Sequence, residues 1–137
     1  MIRRALNKDV SLIRNIGKQY KNNFEKTYDI ENYINNENYV ILVNEDDFVN
    51  AFLIVYKNID LFELELIVVD RDFQKRGIAS NLINYLINNY INNESIILEV
   101  AVNNKVAIKL YEKFDFKLIN IRKKYYDQKI DAYVMKR

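Results

Sequence analysis

Val69-Asp70-Arg71-Asp72-Phe73-Gln74-Lys75-Arg76-Gly77-Ile78-Ala79 is the stretch that decides how this chain is read. The residues before it, Leu61 to Val69, read as a strand. After it, Ile78, Ala79, Leu82, Ile83, Leu86, Ile87 and Tyr90 recur at helical spacing, which predicts a helix from about Ile78 to Ile91, ended by Asn92 and Asn93. The polar loop between them closes on Gly77, one of two glycines in the chain. Strand, loop and helix in that order present open backbone N–H groups at the positive end of a helix dipole, a place suited to a phosphate or pyrophosphate. Gly77 permits close approach, because a side chain there would occupy the ligand's space. Lys75 and Arg76 add positive charge beside it. On Gly77 alone, an ordinary tight turn explains the same residues.

Outward from this stretch the chain alternates strands and helices. Ile2 to Ala5 reads as a first strand, and Val10 to Tyr20 as a helix with Leu12, Ile13, Ile16 and Tyr20 at helical spacing. Asp29 is placed to cap a short helix to Ile34. Tyr39 to Val43 and Phe48 to Tyr56 read as a hairpin around the acidic turn Glu45-Asp46-Asp47. Downstream, Ile96 to Val102 is a strand, and Asn103 or Asn104 caps a helix through Lys113. Phe116 to Tyr125 and Ala132 to Met135 close the chain as two strands joined at Asp127 to Lys129. The expected fold class is α+β, one domain over residues 1–137.

Composition removes several chemistries. The 137 residues, half of them hydrophobic, suit one core, and two domains would be cramped. Cys and His are both absent, which excludes disulfides, thiolate nucleophiles, Ser-His-Asp triads and the ordinary zinc sites. Catalysis must rest on carboxylates, Tyr, Lys, Ser or Thr and the backbone, with no metal. A net charge of +2 is too weak to argue for nucleic acid. No apolar run is long enough to span a membrane, and Arg3 and Arg4 are not followed by the apolar core of a targeting peptide. The expectation is a soluble cytoplasmic protein, a monomer or weak dimer.

The whole string from Val69 to Ala79 resembles the acetyl-CoA motif of the GNAT superfamily, Gln/Arg-x-x-Gly-x-Gly/Ala, standing after a strand and opening a helix as that motif requires. The resemblance implies a mixed, twisted sheet flanked by helices and splayed where CoA enters. It implies that the backbone of Ile67, Val68 and Val69 lines the pantetheine arm, and that Lys75, Arg76, Gly77, Ile78, Ala79 and Ser80 wrap the pyrophosphate. Ala79 resembles the form in archaeal and eukaryotic N-terminal acetyltransferases. Arg71 stands where many members have proline, which is expected to loosen the loop slightly.

Leu98-Glu99-Val100-Ala101-Val102-Asn103-Asn104 and Ala107-Ile108-Lys109-Leu110-Tyr111-Glu112-Lys113-Phe114-Asp115-Phe116 look like the second half of the bacterial ribosomal-protein-alanine N-acetyltransferases. By that resemblance Glu99 is the general base, Asn104 bonds the pantetheine arm, and Tyr111 protonates the leaving CoA thiolate. Asp115 replaces the usual glycine and tolerates a left-handed turn better than most residues. The chemistry asks for these types: an amine must lose a proton, and a carboxylate can take it directly or through water. A backbone N–H near Val68 is the family's candidate for the oxyanion. With no Cys, direct transfer in a ternary complex is expected over an acyl-enzyme. Plainer readings stand beside these. Glu99 alternates with Ile97 and Ala101 as a solvated strand position would. Tyr111 shares the apolar stripe of Ala107, Leu110 and Phe114. Lys105, Lys109 and Lys113 form a basic row that reads best as a solvated face.

Arg122-Lys123-Lys124-Tyr125-Tyr126-Asp127 and Asp131-Ala132-Tyr133-Val134-Met135 resemble the same family's ending. By that resemblance Tyr125 and Tyr126 clamp a peptide N-terminus, while an aromatic-rich edge hairpin is the structural alternative. The resemblance covers about Leu61 to Met135, and the N-terminal part matches in element order alone. Together these readings predict an N-acetyltransferase with acetyl-CoA as donor and a protein N-terminus, a ribosomal protein among the options, as acceptor. A small-molecule amine acetyltransferase and a non-catalytic acyl-CoA sensor are the rivals.

Overall fold

The computed structural model describes residues 1–126 and 129–137, the side chains of residues 125 and 126 excepted. A seven-stranded sheet runs through it in the order β1-β2-β3-β4-β5-β7-β6. The strands are β1 (Ile2–Arg4), β2 (Tyr39–Glu45), β3 (Val49–Lys57), β4 (Leu61–Val69), β5 (Ser95–Ala101), β6 (Lys117–Tyr126) and β7 (Ile130–Lys136). The helices are α1 (Val10–Tyr20), α2 (Phe24–Thr27), α3 (Ile30–Ile34), α4 (Ile78–Tyr90) and α5 (Lys105–Lys113). Every neighbouring pair is antiparallel except β4–β5. The α+β expectation holds, with element ends within a few residues.

The helix repeat was easier to read for α4 than for α1. In α4, Leu82, Ile83 and Leu86 are fully buried, as the apolar stripe predicts. Burying each is worth about 1.5–3 kcal/mol. On α1 the stripe is turned: Ile13, Ile16 and Gly17 face inward, while Leu12 and Tyr20 are exposed. The reason is α2, a short helix absent from the sequence reading, whose Phe24 is fully buried. A Cβ on Gly17 would lie 2.5 Å from the Phe24 ring, so the bare backbone of Gly17 is the seat for that ring.

Two irregularities in β4 shape the site. The parallel ladder with β5 holds only at Leu61↔Ser95, Phe62↔Ile96 and Glu63↔Ile97, and beyond it the two strands are no longer paired. On the other edge the register with β3 slips, Val55 opposing Leu64 and Ile54 opposing Leu66, so that Glu65 is the extra residue of a β-bulge. Strict alternation would put Phe62, Leu64, Leu66 and Val68 on one face. Instead Phe62 and Leu64 pack in the core beneath α4, and Leu66 and Val68 in a second core beneath α1 and α3.

Candidate active site

The loop between β4 and α4 is held by its own short-range chemistry. The Asp70 N–H donates to the Asn50 carbonyl at 2.8 Å, and the Asp70 carboxylate accepts from the Asp72 N–H at 3.0 Å. Gln74 Nε2 donates to the Val69 carbonyl at 3.2 Å. The Arg76 guanidinium lies 4.9 Å over the Phe73 ring and donates to the Asp72 carbonyl. Phe73 in turn stands edge-on to Phe48. Lys75 and Gly77 both take left-handed backbone, φ 64° and 78°, which turns the chain into the first turn of α4. The N–H groups of that turn have no carbonyl one turn back to bond. A Cβ built on Gly77 would meet nothing within 4 Å, so the space before the helix is open. Lys113 Nζ reaches Ser80 Oγ at 3.5 Å, which brings the end of the basic row on α5 beside the start of α4. These residues fit a pyrophosphate.

Arg71 behaves otherwise than expected. Its backbone N–H, which proline would lack, donates to Gln19 Oε1 at 3.0 Å. The loop is thereby tied to the end of α1 rather than loosened. Beside this tie runs a groove of about 270 Å³ lined by Ile67, Val68, Val69, Gln74, Arg71, Gln19 and Tyr20. It carries all three β4 residues that the motif assigns to the pantetheine arm. Asn104, given to the same arm, caps α5: its Oδ1 accepts from the Ala107 N–H at 3.2 Å.

On the α1–α3 side of the sheet, where β4 and β5 stop pairing, lies a cleft of about 460 Å³. Glu63, Glu65 and Glu99 line it, facing Tyr20, Tyr28 and Tyr33. Glu99 Oε1 accepts from Arg122 Nη1 at 2.7 Å, so an ion pair across to β6 orients its carboxylate. The Glu65 carboxyl is raised above the usual carboxylate range by burial, with the charge of Glu63 adding to the effect. Tyr39, stacked on Tyr33 at 3.9 Å, has its phenol pushed well up by burial and by the charge of Glu65. Glu63 was missed from sequence. The alternating Glu63-Leu64-Glu65-Leu66 was the one signal, and a strand with a solvated face gives the same pattern.

Tyr111 stands elsewhere. It is half-buried against the core beneath α4, its ring 5.7 Å from Phe116. Leu98 and Val100 of β5 belong to that same core, so Glu99 projects from the opposite face of the strand. The two catalytic candidates therefore do not share the cleft and stand on opposite faces of β5. Asp115 takes φ 68°, the left-handed turn expected of it. The side chains of Tyr125 and Tyr126 lie outside the described residues. Among the described residues no cluster of metal-ligating side chains occurs, and no helix is long and apolar enough to cross a membrane.

The open start of α4, the groove along β4 and the carboxylate-lined cleft follow one another along β4 and its loop, the last two sharing Tyr20. The chain belongs to the acetyltransferase (GNAT) family, whose model matches residues 10–116. It is 42% identical over 74 residues to an N-alpha-acetyltransferase of Saccharolobus solfataricus, covering 52% of this chain and 44% of that protein. It is 35% identical over 99 residues to the ribosomal protein bS18-alanine N-acetyltransferase of Salmonella typhimurium, covering 70% of this chain and 63% of that one. The matched stretches thus span about half to two thirds of these curated relatives. The crystal structure of the ribosomal-protein-S18-alanine N-acetyltransferase from Escherichia coli superposes with a TM-score of 0.84 at 26% identity, covering 99% of this chain and 91% of the other.

Proposed function

We propose that this chain transfers the acetyl group of acetyl-CoA to the α-amine of a protein N-terminus, by direct attack within a ternary complex. The observation that carries the reading is the adjacency of two cavities: the groove along Ile67 to Val69 and the cleft of Glu63, Glu65 and Glu99 have Tyr20 as a common lining residue. Acetyl-CoA supplies an activated thioester. The N–H groups opening α4, with Lys75 and Arg76, hold its pyrophosphate, and the β4 backbone from Ile67 to Val69 lines its arm, with Asn104 on the far side. The backbone N–H near Val68 faces the developing oxyanion. Glu99, oriented by Arg122, takes the amine proton. Glu65 shares that task through water, its raised carboxyl affinity for protons matching it to the work. Tyr111 protonates the departing thiolate from the other face of β5. Tyr125 and Tyr126 flank the acceptor.

The α-amine reading has a physical basis besides the names of the relatives. An α-amine has a pKa of ~7.7–8.0 and a Lys amine ~10.4, so deprotonating Lys costs ~3–4 kcal/mol more before attack. A cleft whose strongest described bases are the carboxylates of Glu63, Glu65 and Glu99 suits the easier substrate. The two relatives named for N-terminal and ribosomal-protein-alanine acetylation support the same acceptor, a ribosomal protein among the options. The enzyme would work in the cytoplasm as a monomer or weak dimer. The test is a peptide library with acetyl-CoA and mass readout. Peptides with free N-termini are expected to gain one acetyl group there, and the same peptides with blocked N-termini and internal Lys to react poorly. Equal rates on blocked peptides refute the α-amine reading. Turnover restricted to a polyamine or aminoglycoside moves the acceptor to the small-molecule class.

A further inference from the structure

Tyr20, the last residue of α1, lines both the groove of about 270 Å³ along Ile67 to Val69 and the cleft of about 460 Å³ with Glu63, Glu65 and Glu99. Among the described residues it is the one that lines both cavities. The residue is 52% exposed, yet enough protein surrounds the phenol that burial raises it above its ordinary value. It is also held in place from both sides along the chain. The Lys21 N–H closes the helix on the Gly17 carbonyl at 3.0 Å. The preceding residue, Gln19, accepts the Arg71 N–H at 3.0 Å and so pins the end of α1 to the phosphate loop.

We propose that Tyr20 sets the size of the acyl group this chain transfers, its ring closing the donor groove at the length of an acetyl group. The proposal rests on the acetyl-transfer reading and adds to it the residue that limits the donor. In the transfer the acyl carbon–sulfur bond breaks and an acyl carbon–nitrogen bond forms. The amine proton goes to a carboxylate or its water, and the thiolate takes a proton on leaving. None of these steps changes when acetyl is replaced by butyryl. The ratio of rates with the two donors therefore reports room, not chemistry. A pocket discriminates by roughly 10–200-fold per methylene when its wall cannot retreat. The Gln19–Arg71 bond ties the residue before this wall to the loop, and that bond needs a residue other than proline at position 71.

The test compares kcat/KM for acetyl-CoA and butyryl-CoA on one free-N-terminus peptide in the wild type, Tyr20→Phe and Tyr20→Ala. Dissociation constants of the two thioesters are measured on the same three proteins. Wild type and Tyr20→Phe are expected to prefer acetyl, since the ring and not the hydroxyl is the wall. Tyr20→Ala joins the two cavities, and its butyryl-to-acetyl ratio should rise by roughly tenfold or more in turnover, and in the same direction in binding. Arg71→Pro, which deletes the pinning N–H, should move the ratio the same way by less. An unchanged ratio in Tyr20→Ala overturns the gate while acetyl transfer by the wild type stands. Equal relaxation in Tyr20→Phe also overturns it. A wild type that binds acetyl-CoA but acetylates no amine removes the transfer reading instead, and the binding ratio then decides the gate alone.

Discussion

Under the proposed function the donor groove offers its ligand mostly main chain, while the acceptor cleft offers side chains. The first would join the N–H groups after Gly77 and the left-handed Lys75 to the groove along Ile67 to Val69. The second sets Glu63, Glu65 and Glu99 against Tyr20, Tyr28 and Tyr33. Main chain is the same whatever residue carries it, so the donor side constrains sequence only where a side chain would intrude or a left-handed turn is needed. That leaves a short, recognisable string. A wall of side chains drawn from α1, α3, the turn between α2 and α3 and two strands leaves no contiguous string at all.

The comparison breaks first at the carboxylates. Glu99→Gln should lower kcat by ~10²–10⁴-fold, the usual worth of positioned proton transfer, with acetyl-CoA affinity nearly unchanged in a thermal-shift titration. Tyr111→Phe should act similarly on the thiolate-release side. Activity within about twofold of wild type in both would remove these roles. On the donor side, Gly77→Val places branched carbons in the open space before α4 and strains a backbone at φ 78°. The acetyl-CoA-induced rise in Tm should vanish while the far-ultraviolet circular dichroism stays native. A full ligand shift in Gly77→Val would show that the phosphate does not sit there.

Glu65 sharpens the contrast, because it pits stability against activity. Its carboxyl is raised in the folded protein by burial first and by Glu63 second. As pH rises through the ordinary carboxylate value, the unfolded chain ionises before the folded one, so this group costs stability from there upward, fully so above the folded value. Glu65→Gln should therefore raise Tm slightly at pH 7, leave it unchanged near pH 3, and lower kcat by removing the acidic limb it contributes to the pH–rate profile. A loss of Tm at pH 7 would show that the carboxylate is stabilised rather than strained. The smallest effect belongs to the frame behind the acceptor wall. Gly17→Ala improves helix propensity by ~1 kcal/mol but drives a Cβ to 2.5 Å from Phe24. Overpacking of that kind costs about 1–3 kcal/mol, so a net loss of about 1 kcal/mol is expected in urea unfolding, and a gain would show that the ring moves aside at no cost.

Much of the donor side was legible. The strand, the loop and α4 fall where hydrophobic spacing places them, and Asp115 takes its left-handed turn because Asp can. The acceptor side was legible only in part. Glu99 was found through its neighbours in the resemblance, whereas Glu63 escaped, since a charged residue in a half-buried strand looks the same whether it faces water or a cleft. The bulge at Glu65 leaves no mark in composition, yet it decides which face Leu66 and Val68 take. The turned stripe of α1 was misread because Phe24, from a helix too short to show a period, packs on Gly17, a residue with no apolar side chain to mark that face.

That bulge has a consequence for descent. By reversing the faces of β4 halfway along, it lets one strand serve two separate cores, one beneath α4 and α5 for the donor, one beneath α1 and α3 for the acceptor. Substitutions that share no contacts tend to add rather than compound. Under the proposed function, a lineage carrying this strand can accumulate changes in its first three helices away from the Gln19–Arg71 tie and Tyr20, and so try new acceptors, while the half beneath α4 drifts on a different clock.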